Sequence, residues 1–326
     1  MKKTLLALAV AGVVAAPAAM ADVTVYGLAH VSLDNVSGDL LTEQGLAVTS
    51  RASRVGVKAA EDLGGGLTAV AQMEWQVDMA DNGGAGNLTS RNQIVGLAGG
   101  FGTVAVGRHD TPYKMSTGSL DVFADTAADY NTIIGATGLE NRASNAVAYL
   151  SPDFNGLSFQ AAIVAADLDT DADGEDDNTA DATSVAVQYK AGPLFLAAAM
   201  ESFEDEASDG GDGHSGTRLG VGYDAGVAKI GFVYETASNI GAADDDYTAW
   251  LVNAAIPFGG SNAIIAEYGV GEFDDADDET TLMAVGVAHN FSKSSSAYVA
   301  YGNVAVDAGP VDDDSSILTA GMVVKF

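Results

Sequence analysis

Basic side chains are scarce in this sequence, and they cluster. Beyond residue 21 there are 12 Lys and Arg, and seven of them, Arg51, Arg54, Lys58, Arg91, Arg108, Lys114 and Arg142, lie within 51–142. Arg54, Gly56 and Lys58 alternate with Val55, Val57 and Ala59, which puts two cations on one face of an extended segment. Such a gathering can pair carboxylates or set up a local field. Acids have the opposite distribution. The 45 Asp and Glu set a net charge of −31, and they crowd into Asp167–Asp181, Glu201–Asp212 and Glu272–Glu279, with Asp244–Asp246 and Asp312–Asp314 beside them. That balance excludes ordinary nucleic-acid binding, which needs Lys and Arg against phosphate.

Other chemistry is thinly supported. Asp169, Asp171 and Asp173, followed by Gly174, match the one-three-five carboxylates and turn glycine of a calcium loop. Position twelve is Ala180, however, and no helices flank the segment. Ca²⁺ or Mg²⁺ on the acidic loops, ordering them or bridging surface lipopolysaccharide, is the sharper expectation; a solvated, self-repelling surface is the plainer one. The histidines are His30, His109, His214 and His289. His30 and Ser32 share a strand face, yet nothing places a base, an orienter and an oxyanion donor together. With no Cys there is no thiolate nucleophile and no disulfide framework. No enzyme and no cofactor are expected.

The elements that must hold these residues are strands. Val23, Val25, Gly27, Ala29, Val31 and Leu33 alternate with Thr24, Tyr26, Leu28, His30, Ser32 and Asp34, a period of two. Lys2 and Lys3, the apolar Leu5–Ala15 and Ala19-Met20-Ala21 read as a secretory signal peptide over 1–21. The remainder, 22–326, reads as a single domain of 305 residues with net charge −33. Short turns at 62–66, 99–100, 151–156, 191–192, 224–226, 257–261 and 291–294 alternate with long connections. The long ones run at about 35–46, 80–89, 109–143, 167–182, 202–215, 237–245, 271–279 and 304–315. Sixteen strands with tight turns at one end and long loops at the other describe an all-β, transmembrane antiparallel β-barrel of the outer membrane. A barrel this wide keeps a water-filled lumen. Charge on its lipid face costs ~2–4 kcal/mol at the midplane, so Arg54 and Lys58 are expected to face the lumen.

SRVGVKAAEDLGGGLTAVAQMEW at 53–75, RNQIVGLAGGFGTVAVGRHDTP at 91–112, Arg142-Ala143-Ser144-Asn145 and the terminal GMVVKF resemble the Gram-negative general-diffusion porins. The resemblance implies a homotrimer of sixteen-stranded barrels passing small hydrophilic solutes, with the third long loop, 109–143, folded into the lumen. It places loop carboxylates at Asp121 and Asp125 opposite wall arginines at Arg54, Arg91 and Arg142; Lys58 and Arg108 are further lumen-facing bases. Leu28 stands where enteric members have a lysine, and their Pro-Glu-Phe-Gly-Gly loop tip is absent. Phe326 matches the terminal aromatic that the barrel assembly machinery reads. With that lysine missing and the loops acidic, cation preference is expected. The rival expectation is a surface structural or adhesive barrel with cation-binding loops and a closed lumen. Outer-membrane lipid and lipopolysaccharide surround either one.

Overall fold

The computed structural model describes residues 21–40, 44–80, 87–165, 180–204, 213–241, 244–274, 278–308 and 311–326. Strand β1 is Asp22–Gly38. Strands β2 (Gly45–Ser50) and β3 (Arg54–Gly64) follow, and then β4 (Leu67–Val77), β5 (Leu88–Gly99) and β6 (Gly102–Asp110). After a helical segment come β7 (Arg142–Leu150), β8 (Leu157–Ala165), β9 (Ala180–Ala191), β10 (Leu194–Phe203), β11 (Ser215–Asp224) and β12 (Lys229–Ile240). The chain ends with β13 (Asp245–Phe258), β14 (Asn262–Phe273), β15 (Asp278–Asn290), β16 (Ser295–Ala308) and β17 (Val311–Lys325). From β3 onward each strand pairs antiparallel with its successor, and β1 pairs with β17 to close the sheet. Both β2 and β3 pair with β1, β2 along its upper part and β3 along its lower part. They are two halves of one stave, so the barrel has sixteen staves, as the alternation predicts.

Closure satisfies every ladder group without an edge, which a bilayer demands. The two faces follow the sequence alternation. On β13, Tyr247, Ala249, Leu251 and Asn253 are buried inward, while Val252 and Ile256 are exposed on the outer face. Exposed Phe101, Phe154, Tyr189, Tyr223, Phe258, Phe291 and Phe326 ring the short-turn end, the aromatic girdle of a membrane interface. The last residue completes the seam: Gly27 N–H donates to the Phe326 carbonyl at 2.9 Å and Phe326 N–H to the Gly27 carbonyl at 3.1 Å. A Cβ on Gly27 would lie 2.3 Å from the Phe326 ring, so only glycine admits that ring.

Several connections differ from the sequence expectation. Asp245 and Asp246 lie in β13, Glu272 in β14, Asp278 and Glu279 in β15 and Asp313 and Asp314 in β17. These acidic residues are strand rather than loop, because paired backbone continues past the apolar band and tolerates charge there. Asp169, Asp171 and Asp173 lie outside the described residues, as do positions 1–20 of the expected signal peptide.

Candidate functional site

Among the described residues, the segment between β6 and β7 is the connection whose side chains fill the barrel. Thr111 caps a short helix, α1 (Pro112–Thr117), its Oγ1 accepting from Lys114 N–H at 3.3 Å, and Pro112 starts the turn. The inward faces of β9–β13 then hold the segment through its backbone. Tyr113 N–H donates to Ser184 Oγ at 3.0 Å, and Gln188 Nε2 donates to the Ser116 carbonyl at 2.8 Å. Asn253 Nδ2 donates to the Leu120 carbonyl at 2.7 Å, and the Tyr247 hydroxyl to the Ile133 carbonyl at 2.9 Å. Tyr113, Leu120, Tyr130, Ile133, Ile134 and Leu139 pack on inward residues of these strands. Phe123 and Ala128 at the tip pack on Ile265, Ala284, Tyr298 and Ala300 of β14–β16.

A buried ionic knot fixes the base of this loop. Arg218 of β11 is 0% exposed and pairs with Glu235 of β12 and with Glu140 from the loop. Its guanidinium lies 4.2 Å from the Tyr113 ring centroid. Glu235 also accepts from the Tyr113 hydroxyl at 2.9 Å and from Gly135 N–H at 2.7 Å, while Lys114 reaches Glu140 at 3.1 Å. The sequence reading missed Arg218 and both glutamates.

Opposite the loop, three backbone irregularities present the arginines. Between β2 and β3, Ala52 has φ 45°, and Ser53 Oγ donates to the His30 carbonyl at 2.8 Å and accepts from His30 N–H at 2.9 Å. The break turns Arg51 to Asp34 at 2.5 Å and sends Arg54 to the loop tip, where Nη1 meets Asp125 Oδ2 at 3.2 Å. A register shift between β4 and β5 sets Arg91 and Asn92 opposite Glu74, as bulges re-aim side chains. Arg91 pairs with Glu74 at 2.7 Å. Arg142 pairs with Asp110 at 2.9 Å and donates to Asn92 Oδ1. Arg108, one residue past Gly107 with φ 133°, donates to Ser144 Oγ at 2.7 Å. Lys58 lies 4.9 Å from the Tyr26 ring centroid, and Tyr26 in turn donates to Glu74.

Of the five residues expected to face one another, Arg54 and Asp125 meet. Arg91 and Arg142 hold wall carboxylates instead, and Asp121 contacts none of the three arginines. Asp121 Oδ1 accepts from Phe123 N–H at 2.8 Å, and Asp129 accepts from the N–H groups of Asp125 and Asn131. The two acids therefore staple the tip, holding Asp125 at φ 60°. Burial first, then the charges of Asp129 and Glu267, push the Asp121 carboxyl well above the usual carboxylate range. Burial likewise raises Asp129. Glu267 of β14 is 4% exposed, and neither of its carboxylate oxygens has a hydrogen-bond partner among the described residues. No group of three His, Asp or Glu placed to hold a metal ion occurs among the described residues.

The family model described as Gram-negative porin matches residues 6–309. The chain is a Gram-negative porin. The porin is 30% identical over 317 residues to outer membrane porin protein 32 of Delftia acidovorans, covering 94% of this chain and 89% of that protein. It is 30% identical over 340 residues to the major outer membrane protein P.IB of Neisseria meningitidis serogroup A, covering 99% and 98%. Among solved structures, the anion-selective porin from Comamonas acidovorans superimposes with a TM-score of 0.79 at 22% identity, over 94% of this chain and all of that one. OmpF of Salmonella typhi in complex with daunomycin gives 0.72 at 18% identity, over 93% and 97%. The porin is an outer-membrane channel protein.

Proposed function

We propose that this porin is a homotrimeric general-diffusion channel for small hydrophilic solutes that favours cations, with Arg54, Arg91 and Arg142 on the wall and Asp125 on the loop forming its constriction. The contact that carries the reading is Arg54–Asp125, which joins wall and loop tip across 71 residues of chain. Opposed charges across a narrow water gap order water and select solutes by charge and size. Asp121 acts beside them by shaping the tip, since a carboxyl held above its usual range contributes less negative charge.

Charge balance supports cation preference. Arg51, Arg54, Arg91, Arg142, Lys114 and Arg218 are each paired with a carboxylate, so much of the positive charge is cancelled locally. The acidic strand ends and loops concentrate cations at the mouth, an effect that salt screens. The second reading is anion preference. It is favoured by Lys58 and Arg108, which have no carboxylate partner among the described residues, and it is the property named for the Comamonas structure.

Zero-current potential across a salt gradient separates the two. The parent is expected to prefer cations, more so at low salt, with Asp125→Asn reducing the preference and Arg54→Ser raising it. Anion preference in the parent would overturn the cation reading. Unchanged potentials in both variants would remove these residues from the constriction. Silence from a correctly folded trimer would favour the closed, structural barrel.

A further inference from the structure

Beneath the loop, on its short-turn side, the wall of β9–β13 is hollowed. One level of cross-strand partners runs Lys190↔Phe195, Phe195↔Gly222, Gly222↔Gly231 and Gly231↔Asn253. The two adjacent glycines leave the middle of this row without side chains. Leu120 and Val122 of the loop form the roof, and the Leu120 carbonyl is held by Asn253. A Cβ on Gly222 would come within 2.8 Å of Leu120, so the roof sits as low as glycine allows. The resulting cavity is ≈ 260 Å³, against the ~150 Å³ that takes up a benzene ring.

Cations flank this apolar hollow. Lys190 is on the inward face of β9, in step with buried Ala182, Ser184 and Ala186, and its ammonium has no hydrogen-bond or ion-pair partner among the described residues. Lys229, two residues lower on β12, meets only Asp224 at 3.6 Å in an exposed pair, an arrangement that contributes little. Strands β9 and β12 are three spacings apart, ~14 Å, and both lysines carry their charge on flexible four-carbon stems. The wider charge pattern agrees. Every arginine, with Lys114, stands at the level of the loop or above it, whereas Lys58, Lys190, Lys229, Lys293 and Lys325 occupy the short-turn half.

We infer that this hollow binds small organic carboxylates whose apolar body is about one ring in size. The carboxylate meets Lys190, and Lys229 where the ligand carries a second charge, while the body lies over Phe195 under Leu120 and Val122. The site rests on the reading of the barrel as an open channel, since solutes reach it through the lumen. It gives the inner vestibule a ligand preference opposite in sign to the acidic mouth.

The test is benzoate binding to the detergent-folded, full-length trimer, followed by ligand-observed NMR, with acetate and benzamide as the arms lacking the ring or the charge. Lys190→Gln removes an exposed, unpartnered ammonium and leaves the fold intact, which heat-modifiability on gels checks. Benzoate is expected to bind at least tenfold more tightly than either analogue and to lose at least tenfold in Lys190→Gln; Phe195→Ala should weaken it as well. In bilayers, benzoate should reduce current more from the short-turn side. Equal binding by Lys190→Gln, equal binding of acetate, or no benzoate binding to the parent would overturn the inference. Binding is read without current, so a silent barrel would count against the channel reading alone.

Discussion

Replacing Arg218 with leucine tests whether the ionic knot keeps the loop seated. The guanidinium is fully buried between Glu235 and Glu140, so the substitution leaves the fully buried Glu235 without a cation and leaves Glu140 with Lys114 as its one remaining ion pair. Breaking a buried pair by removing one partner costs ~3–5 kcal/mol. The loop's other polar ties named above, from Ser184, Gln188, Asn253 and Tyr247, are neutral bonds of about 1 kcal/mol each. The knot is therefore comparable to all of them together. At 1.4 kcal/mol per tenfold, its loss shifts the seated-to-unseated ratio by roughly two to three and a half orders of magnitude. Single-channel recording should show larger, flickering openings in place of a steady level, and the heat-dissociation temperature of the trimer should fall. Replacing Arg218, Glu235 and Glu140 together by apolar residues should recover the steady level, because a packed apolar site avoids the desolvation cost. Quiet openings of parental size in Arg218→Leu, at unchanged thermal stability, would refute the reasoning.

The loop tip should respond to pH in a defined direction. Asp121 and Asp129 are both raised, so the seating they contribute is complete below the unfolded carboxylate value of ~3.9 and is lost as pH rises through the raised values. Deuterium-exchange protection of the tip amides should fall over that rise, and Asp121→Asn should flatten the profile; protection increasing with pH would contradict it. Deleting Phe326, or replacing Gly27 with valine so that the ring cannot lie flat, should lower insertion into the outer membrane while surviving channels keep parental conductance, and normal insertion of both variants would count against a seam role. The protein should run on unheated SDS gels as a compact oligomer that collapses to a monomer on boiling. A folded barrel that is monomeric by native mass spectrometry would end the trimer proposal.

The barrel was legible in the sequence because each stave alternates, and a bilayer makes alternation nearly obligatory. The 109–143 connection was legible from its length, and the expectation for Phe326 came from resemblance to the family's terminal residue. Partner choice was not. Nothing in Arg51-Ala52-Ser53 announces a residue at φ 45°, yet that break decides that Arg51 goes to Asp34 and Arg54 to the loop. The bulge opposite Glu74 likewise decides that Arg91 is neutralised on the wall. Asp121 was assigned to the pore by its place in the loop tip, whereas burial of Phe123 beside it rotates the carboxylate into a staple. Arg218 could have been found. It lies in a strand whose outer face carries Leu219 and Val221, and the lipid-cost argument applied to Arg54 applies equally to it.

The seam between the first and last strands also governs how this chain can be built. Its register runs from Leu28↔Lys325 to Gly38↔Ser315; its side-chain link from Thr319 to Asp34 joins residues 285 apart, and His30 of β1 reaches past β17 to Tyr298 of β16, 268 residues away. Nearly every other stave pairs with its immediate neighbour and can zip progressively. The seam is instead the contact of highest sequence separation, and such contacts form slowly because the whole intervening chain must first be ordered. Until it forms, β1 and β17 are two open edges, each a template for pairing with another chain and each intolerable inside hydrocarbon. Folding of this porin is therefore gated at its ends. A chain lacking either terminal strand leaves the other with an unpaired edge.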